Sequence, residues 1–105
     1  MAIKRKEREI YIMSYVAIET KFLGATNYRG ERVKASIPDW HGFTETAPYD
    51  YALSIFENHQ RVAQSLADRF FNYYVKADEP ITLVSGGIKR GMVWVRIHPN
   101  GAHLS

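Results

Sequence analysis

The chain contains no cysteine among its 105 residues. Without thiols it cannot form a disulfide scaffold, a thiolate zinc site or a cysteine nucleophile. No apolar run approaches the ~18 residues that a membrane-spanning helix needs. The start of the chain also lacks the pattern of a secretion signal. We therefore expect a cytoplasmic protein that makes no membrane contact.

Catalytic and metal-binding motifs are also missing. The sequence has no Gly-x-Ser-x-Gly element, no phosphate-binding glycine loop followed by Lys-Ser/Thr, and no paired-carboxylate motif. Its histidines are too widely spaced for a recognisable zinc site; they are His41, His59, His98 and His103. We expect no catalytic residue, no metal and no cofactor, and we interpret the protein as a binding module rather than an enzyme.

The composition is that of one small folded domain. Hydrophobic residues make up 46% of the chain and aromatic residues 13%, which is enough to close a core and argues against disorder. A chain this short buries well under about three-quarters of its unfolded surface. That limit favours a self-complementary homodimer, which would bury more.

Positive charge is concentrated near the start of the chain. The formal net charge is +3, and residues 1–34 hold eight basic and four acidic side chains, whereas the remaining 71 residues hold six and seven. Such an excess favours a polyanionic partner such as nucleic acid. Residues 1–12 contribute +2 of the net charge of +3, so a chain starting at Met13 would carry only +1. The stronger observation is the local cluster of Arg29, Arg32 and Lys34.

Hydrophobic periodicity predicts a β-hairpin in the first third. Apolar side chains alternate with polar ones over residues 10–22 and again over 33–37, which is typical of half-buried strands. Between these segments Gly24, Asn27 and Gly30 supply residues that tolerate a positive φ. A short third strand is predicted over residues 43–46 before Pro48.

A long amphipathic helix is predicted over residues 50–73, with Asp50 as its N-cap. Apolar side chains recur at intervals of three and four residues, and the stripe consists of Ala52, Ile55, Phe56, His59, Val62, Ala63, Leu66 and Phe70. Two further strands are predicted over residues 81–85 and 92–97, with 86–91 as their loop.

The predicted fold is therefore α+β, a small antiparallel sheet in the order ββ(β)αββ with one long amphipathic helix packed on one face. We assign residues 1–12 to a basic N-terminal extension without fixed structure, 13–98 to a single domain, and 99–105 to a loose C-terminal tail.

The predicted hairpin tip is the best candidate binding site. Tyr28 next to Asn27 and Arg29, with Arg32 and Lys34 following, suits stacking on a base while the cations hold phosphates. Tyrosine and arginine also dominate protein interfaces, so a protein partner is equally compatible with this cluster.

Three other features allow two interpretations each. His59 is either a core histidine with one ring nitrogen hydrogen-bonded or a buried polar group for a ligand. The glycines at 86 and 87 with Lys89 and Arg90 form either a hairpin turn or a phosphate cradle. Trp40 beside His41 either forms an exposed cluster or closes the end of the sheet.

The segments Met-Ser-Tyr-Val-Ala-Ile-Glu-Thr-Lys-Phe-Leu-Gly-Ala-Thr-Asn-Tyr-Arg-Gly, Tyr-Asp-Tyr-Ala-Leu and Glu-Asn-His occur at residues 13–30, 49–53 and 57–59. Together they resemble small uncharacterised proteins of phages, plasmids and other mobile elements of proteobacteria, over about residues 13–70. That family has no assigned activity. The resemblance implies an accessory gene, expressed in the cytoplasm of an infected or plasmid-bearing cell, and a domain that begins near Met13.

Two hypotheses of function follow. The first is a non-enzymatic module that binds nucleic acid through the Tyr28 and Arg29 tip. The second is a small protein–protein interaction module that inhibits or adapts a host protein.

Overall fold

A computed structural model describes residues 16–40, 42–74 and 81–97. These residues form five strands and one helix; in chain order they are β1 (Ala17–Leu23), β2 (Arg32–Ser36), β3 (Thr44–Pro48), α1 (Ile55–Tyr74), β4 (Thr82–Ile88) and β5 (Gly91–Ile97). The predicted α+β fold and element order are confirmed. The proposed extension, the tail, His41, His98, His103 and the start of the first predicted strand lie outside the described residues.

The strands form one antiparallel sheet in the order β3-β2-β1-β5-β4. On the central strand, Thr20 lies opposite Ala35 of β2 and Met92 of β5. Because β5 is antiparallel to β1, the β1–β2 loop and the β4–β5 turn lie at the same end of the sheet, which we call the tip end. The beginning of β1 and the end of β5 lie at the other end, where Ala17 is the partner of Val95.

Helix α1 lies across one face of the sheet and packs mainly on β1, β2 and β3. Its buried apolar residues are Val62, Ala63, Leu66, Ala67, Phe70 and Phe71. They meet the inward side chains of Ile18, Val33, Ala35 and Ile37. The three-and-four spacing of the helix and the period-two alternation of the strands thus build the core as predicted.

The helix begins five residues later than predicted. Ser54 is its N-cap, because the Ser54 hydroxyl accepts from the Glu57 amide (3.0 Å) and the Glu57 carboxylate accepts from the Ser54 amide (3.1 Å). This is a capping box, which satisfies two otherwise unpaired donors. The Asp50 carboxylate instead accepts from the Ala52 amide at 2.9 Å, so Asp50 closes a separate turn before the helix.

The first helical turn also differs from the predicted stripe. Ala52 precedes the helix, and Ile55 and Phe56 remain 69% and 45% exposed. This turn lies at the tip end, where the helix starts beyond the main core. Phe56 still contacts the Trp94 ring, with centroids 5.4 Å apart.

The predicted glycine loop between the last two strands is wrong. Gly86 and Gly87 belong to β4, where they pair with Val93 and Met92, and the turn consists of Lys89 and Arg90. Glycines carry no side chain to mark an alternating pattern, so the sequence hid the second half of this strand. As part of an extended strand, these two glycines do not form the loop that a phosphate cradle would need.

Trp40 closes the end of the sheet, in agreement with one of its two interpretations. Its ring packs edge-on against Phe70, with centroids 5.5 Å apart, and the side chain is half-buried against the core.

Replacement of Gly91 by alanine is expected to weaken β1–β5 pairing strongly. A Cβ at Gly91 would lie 1.9 Å from the Thr20 carbonyl oxygen, whereas a Cβ at Gly86 meets no atom within 4 Å. We expect Gly91→Ala to lower the free energy of unfolding by about 2 kcal/mol or more, and Gly86→Ala to change it by less than about 1 kcal/mol. Urea unfolding followed by tryptophan fluorescence measures both, and equal losses in the two variants would contradict the close approach.

Candidate functional site

The face of the sheet turned away from α1 is basic along β1 and β2. Lys21 lies directly opposite Lys34, and Arg32 lies opposite Leu23, one step nearer the tip. By alternation all three basic side chains project from this face. We call Lys21, Arg32 and Lys34 the basic face. Like charges placed directly opposite one another cost stability, so this arrangement does not help the fold.

The loop beyond these strands is held in a defined turn. The Thr26 hydroxyl accepts from the amides of Tyr28 (3.3 Å) and Arg29 (3.0 Å), and the Thr26 amide donates to the Arg29 carbonyl at 2.7 Å. Asn27 is exposed in this turn, and the Tyr28 side chain is 95% exposed. An aromatic ring left this fully in water contributes nothing to the core.

Arginines border a groove beside the loop. A depression of about 410 Å³ is lined by Arg29, Gly30, Glu31, Arg32, Thr46, Ala47 and Pro48. Arg32 donates to the Gly30 carbonyl at 3.2 Å, which holds its side chain toward the loop. Of the residues predicted for the tip, Arg29 and Arg32 line this groove, whereas Asn27 and Tyr28 lie in the exposed loop and Lys34 lies on β2.

No acidic side chain in the described segments forms an ion pair with these cations. Within residues 16–40, 42–74 and 81–97, one ion pair is formed, between Arg69 and Glu45 at 3.6 Å. It lies on the helix side of the sheet. The β4–β5 turn adds Lys89 and Arg90 to the same end of the sheet. The sequence alone does not connect that turn with the tip, because only the strand order shows that they lie at the same end of the sheet.

His59 forms part of a buried polar cluster between the helix and the sheet. The Trp94 indole N–H donates to the Thr20 hydroxyl oxygen at 2.9 Å, and His59 Nδ1 lies 2.8 Å from the same oxygen. An indole nitrogen is only a donor, so the Thr20 hydroxyl accepts from Trp94 and its own proton is free to be donated to Nδ1. We assign His59 as the neutral tautomer with its proton on Nε2. Burial lowers the pKa of His59 below 6.5, which favours this neutral form.

His59 also lines a pocket on the helix side of the tip end. The pocket measures about 370 Å³, and we call it the aromatic pocket; its lining residues are Phe22, Glu31, Tyr49, Tyr51, Ile55 and His59. Since Nδ1 is held by Thr20, the ring edge left for the pocket is the Nε2 side. One ring nitrogen is therefore hydrogen-bonded in the core, which agrees with the first interpretation of His59. The ring also borders a cavity, and a role in holding a ligand stays a prediction.

Asn58 fixes the walls of this pocket. Its fully buried side chain accepts from the Asp50 amide and donates to the Asp50 carbonyl, each at 2.8 Å, and it donates to the Ser54 carbonyl at 3.0 Å. Asp50 lies between Tyr49 and Tyr51, so these bonds hold both tyrosines against the start of the helix. No periodic pattern in the sequence predicts where Tyr49, Asp50 and Tyr51 lie, because they belong to a turn.

Residues 16–40, 42–74 and 81–97 contain no group of three or more acidic or histidine side chains placed to bind a metal ion. No helix among those residues is long and apolar enough to cross a membrane.

The chain matches no known protein family, no curated protein and no solved structure. The resemblance to proteins of phages and plasmids therefore stays a prediction. Any assignment of function depends on the geometry of the tip end.

The lowered pKa of His59 predicts that stability falls in acid. Between the folded pKa and the unfolded value of 6.5 the unfolded chain binds more protons, so the free energy of unfolding decreases as pH falls through this window and then levels off. Urea unfolding from about pH 8 to about pH 5 measures this slope. His59→Gln should remove its share of the slope, and parallel profiles of the two proteins would contradict the assignment.

Proposed function

We propose that this protein is a binding module for nucleic acid, with the basic face and the exposed loop around Tyr28 as its contact surface. The observation that carries the proposal is the direct pairing of Lys21 with Lys34 across β1 and β2, next to Arg32. Glu19 also projects from this face, two residues from Lys21, but it forms no ion pair with either lysine within the described residues. A phosphate between the two lysines would relieve their repulsion, so the surface is suited to a chain of phosphates.

The charge and the position of the cations support contact with a polyanion. Lys21, Arg32 and Lys34 are held on paired strands, and Arg29 is held by the Thr26 turn. Their backbones are therefore fixed before binding, so only the side chains have to become ordered on a phosphate. Their affinity for phosphates comes mostly from released counterions and therefore depends steeply on salt.

Tyr28 favours a single strand over a duplex. Its ring is 95% exposed, and Arg29 follows it in the same loop. Aromatic side chains stack on unpaired bases irrespective of sequence, whereas the bases of a duplex are already stacked on each other. The combination of a stacking ring and neighbouring cations is typical of surfaces that follow a single strand.

Fluorescence anisotropy with labelled single strands tests this proposal. We expect Lys34→Gln to weaken binding and to lower the slope of log affinity against log salt by about 0.7. Arg69→Gln removes the same charge from the opposite side of the sheet and should leave the slope unchanged. Tyr28→Ala should weaken binding at least about fivefold without changing the slope, because stacking releases no counterions.

Two results would refute the proposal. One is the absence of binding to single-stranded DNA, single-stranded RNA and duplex at low salt. The other is an equal loss of affinity in Lys34→Gln and Arg69→Gln, which would mean that net charge alone attracts the strand. Circular dichroism of each variant checks that the fold is intact.

A protein-interaction module is the second candidate, because the outer half of the same face is apolar. Val84, Val95 and Ile97 of β4 and β5 remain 45%, 39% and 41% exposed, and by alternation they project on the side away from α1. Apolar side chains clustered on an open sheet face are typical of interfaces. For a second copy of the chain as the partner, sedimentation should show a dimer that Val95→Ser dissociates, and a monomer at all concentrations would reject it.

A further inference from the structure

The aromatic pocket has no part in the phosphate contacts described above, yet it lies at the same end of the sheet. We propose that this pocket binds an unstacked guanine base. The proposal rests on the proposed function, since the base would belong to the single strand held by the basic face.

The walls of the pocket suit a flat ring. The rings of Phe22 and Tyr49 meet edge to face with centroids 5.5 Å apart, and those of Tyr49 and Tyr51 are 5.0 Å apart. Tyr51 and Ile55 at the rim are 73% and 69% exposed. Such apolar surface is costly to leave in water, and a base lying against these side chains would cover it. The Asn58 bonds hold the tyrosines in place before the ligand arrives.

The polar groups of the pocket select among the bases. Glu31 supplies a carboxylate, which only accepts hydrogen bonds when ionised, and neutral His59 offers an N–H at Nε2. The Watson–Crick edge of guanine has two adjacent donors, N1–H and the N2 amino group, beside the O6 acceptor. The N1–H and N2 amino donors would bond to the Glu31 carboxylate, and O6 would accept from His59 Nε2. Adenine, cytosine and uracil lack two adjacent donor groups on that edge.

Glu31 also connects the pocket with the cations. It borders both the aromatic pocket and the groove that Arg29 and Arg32 line. A nucleic-acid strand that passes around the tip end at Glu31 would place phosphates beside these arginines and one base in the pocket. The pocket itself has no cationic lining residue, so it holds the base rather than a phosphate.

Oligonucleotide binding to the full chain tests the assignment. An oligouridylate of about eight nucleotides is compared with the same strand carrying one central guanine, adenine or cytosine. We expect guanine to tighten binding at least about fivefold. Glu31→Gln, which keeps the shape of the side chain, should abolish the preference, and Tyr51→Ala should reduce it. Lys34→Gln is the matched control. It should weaken binding of the guanine-containing strand and of the plain oligouridylate by the same factor, so that the ratio of the two affinities is preserved.

Nuclear magnetic resonance with guanosine monophosphate separates the two proposals. If no oligonucleotide binds, the proposed function fails, while selective shifts of the Glu31, Tyr51 and His59 resonances by this nucleotide would still support the pocket. The guanine assignment is overturned by equal affinity for all four central bases, or by a preference for guanine that is retained in Glu31→Gln. Aromatic rings beside a carboxylate can also hold an organic cation. Shifts caused by tetramethylammonium and not by the nucleotide would overturn the guanine assignment in favour of that class.

Discussion

The Thr20 hydroxyl is the point on which the rest of the structure depends. It lies on the central strand, and its one oxygen joins the helix through His59 and β5 through Trp94. All three side chains are buried, and a buried polar atom without a partner is costly. An apolar residue of the same shape would leave both the indole N–H and the imidazole nitrogen unpaired in a dry site. The bond pattern therefore sets the position of the helix on the sheet and the tautomer of His59 together.

The two faces of the sheet carry different groups. Its helix side holds the core and, at the tip end, the aromatic pocket, whereas its other side carries the basic face. Lys21 and Phe22 are neighbours in sequence but project to opposite sides because strands alternate. A strand of alternating residues can thus supply a cation to one surface and a ring to the other. The candidate groups stand on paired strands and capped turns, which hold them in fixed positions.

Much of the fold was predictable, because the core depends on periodic apolar residues. The alternation around Ile18 and Val33 and the spacing of Leu66 and Phe70 identified the strands and the helix that carry the core. The start of the helix was not predictable from Asp50 alone, since Asp50 and Ser54 are both good capping residues and only the reciprocal bond with Glu57 decides between them. The second half of β4 was hidden because glycine leaves no pattern.

The candidate site was predictable only in part. Tyr28 and its flanking arginines lie close together in sequence, so a local cluster revealed them. The aromatic pocket joins residues from β1, the β2 entry, a turn and the helix, and no local pattern connects Phe22 with Tyr49. His59 can be singled out in the sequence because it interrupts an apolar stripe, but its hydrogen-bond partner Thr20 is 39 positions away. Contacts of that separation depend on strand order, which periodicity does not encode.

The pairing of Ala17 with Val95 has a consequence for linkage. The chain enters the described sheet and leaves it at adjacent positions, at the end opposite Tyr28 and the β4–β5 turn. A fusion partner attached through either terminus would therefore connect to the sheet at the end opposite the loop around Tyr28. If two copies were linked in this way and each bound the same strand, as proposed above, the tether would raise the effective concentration of the second copy.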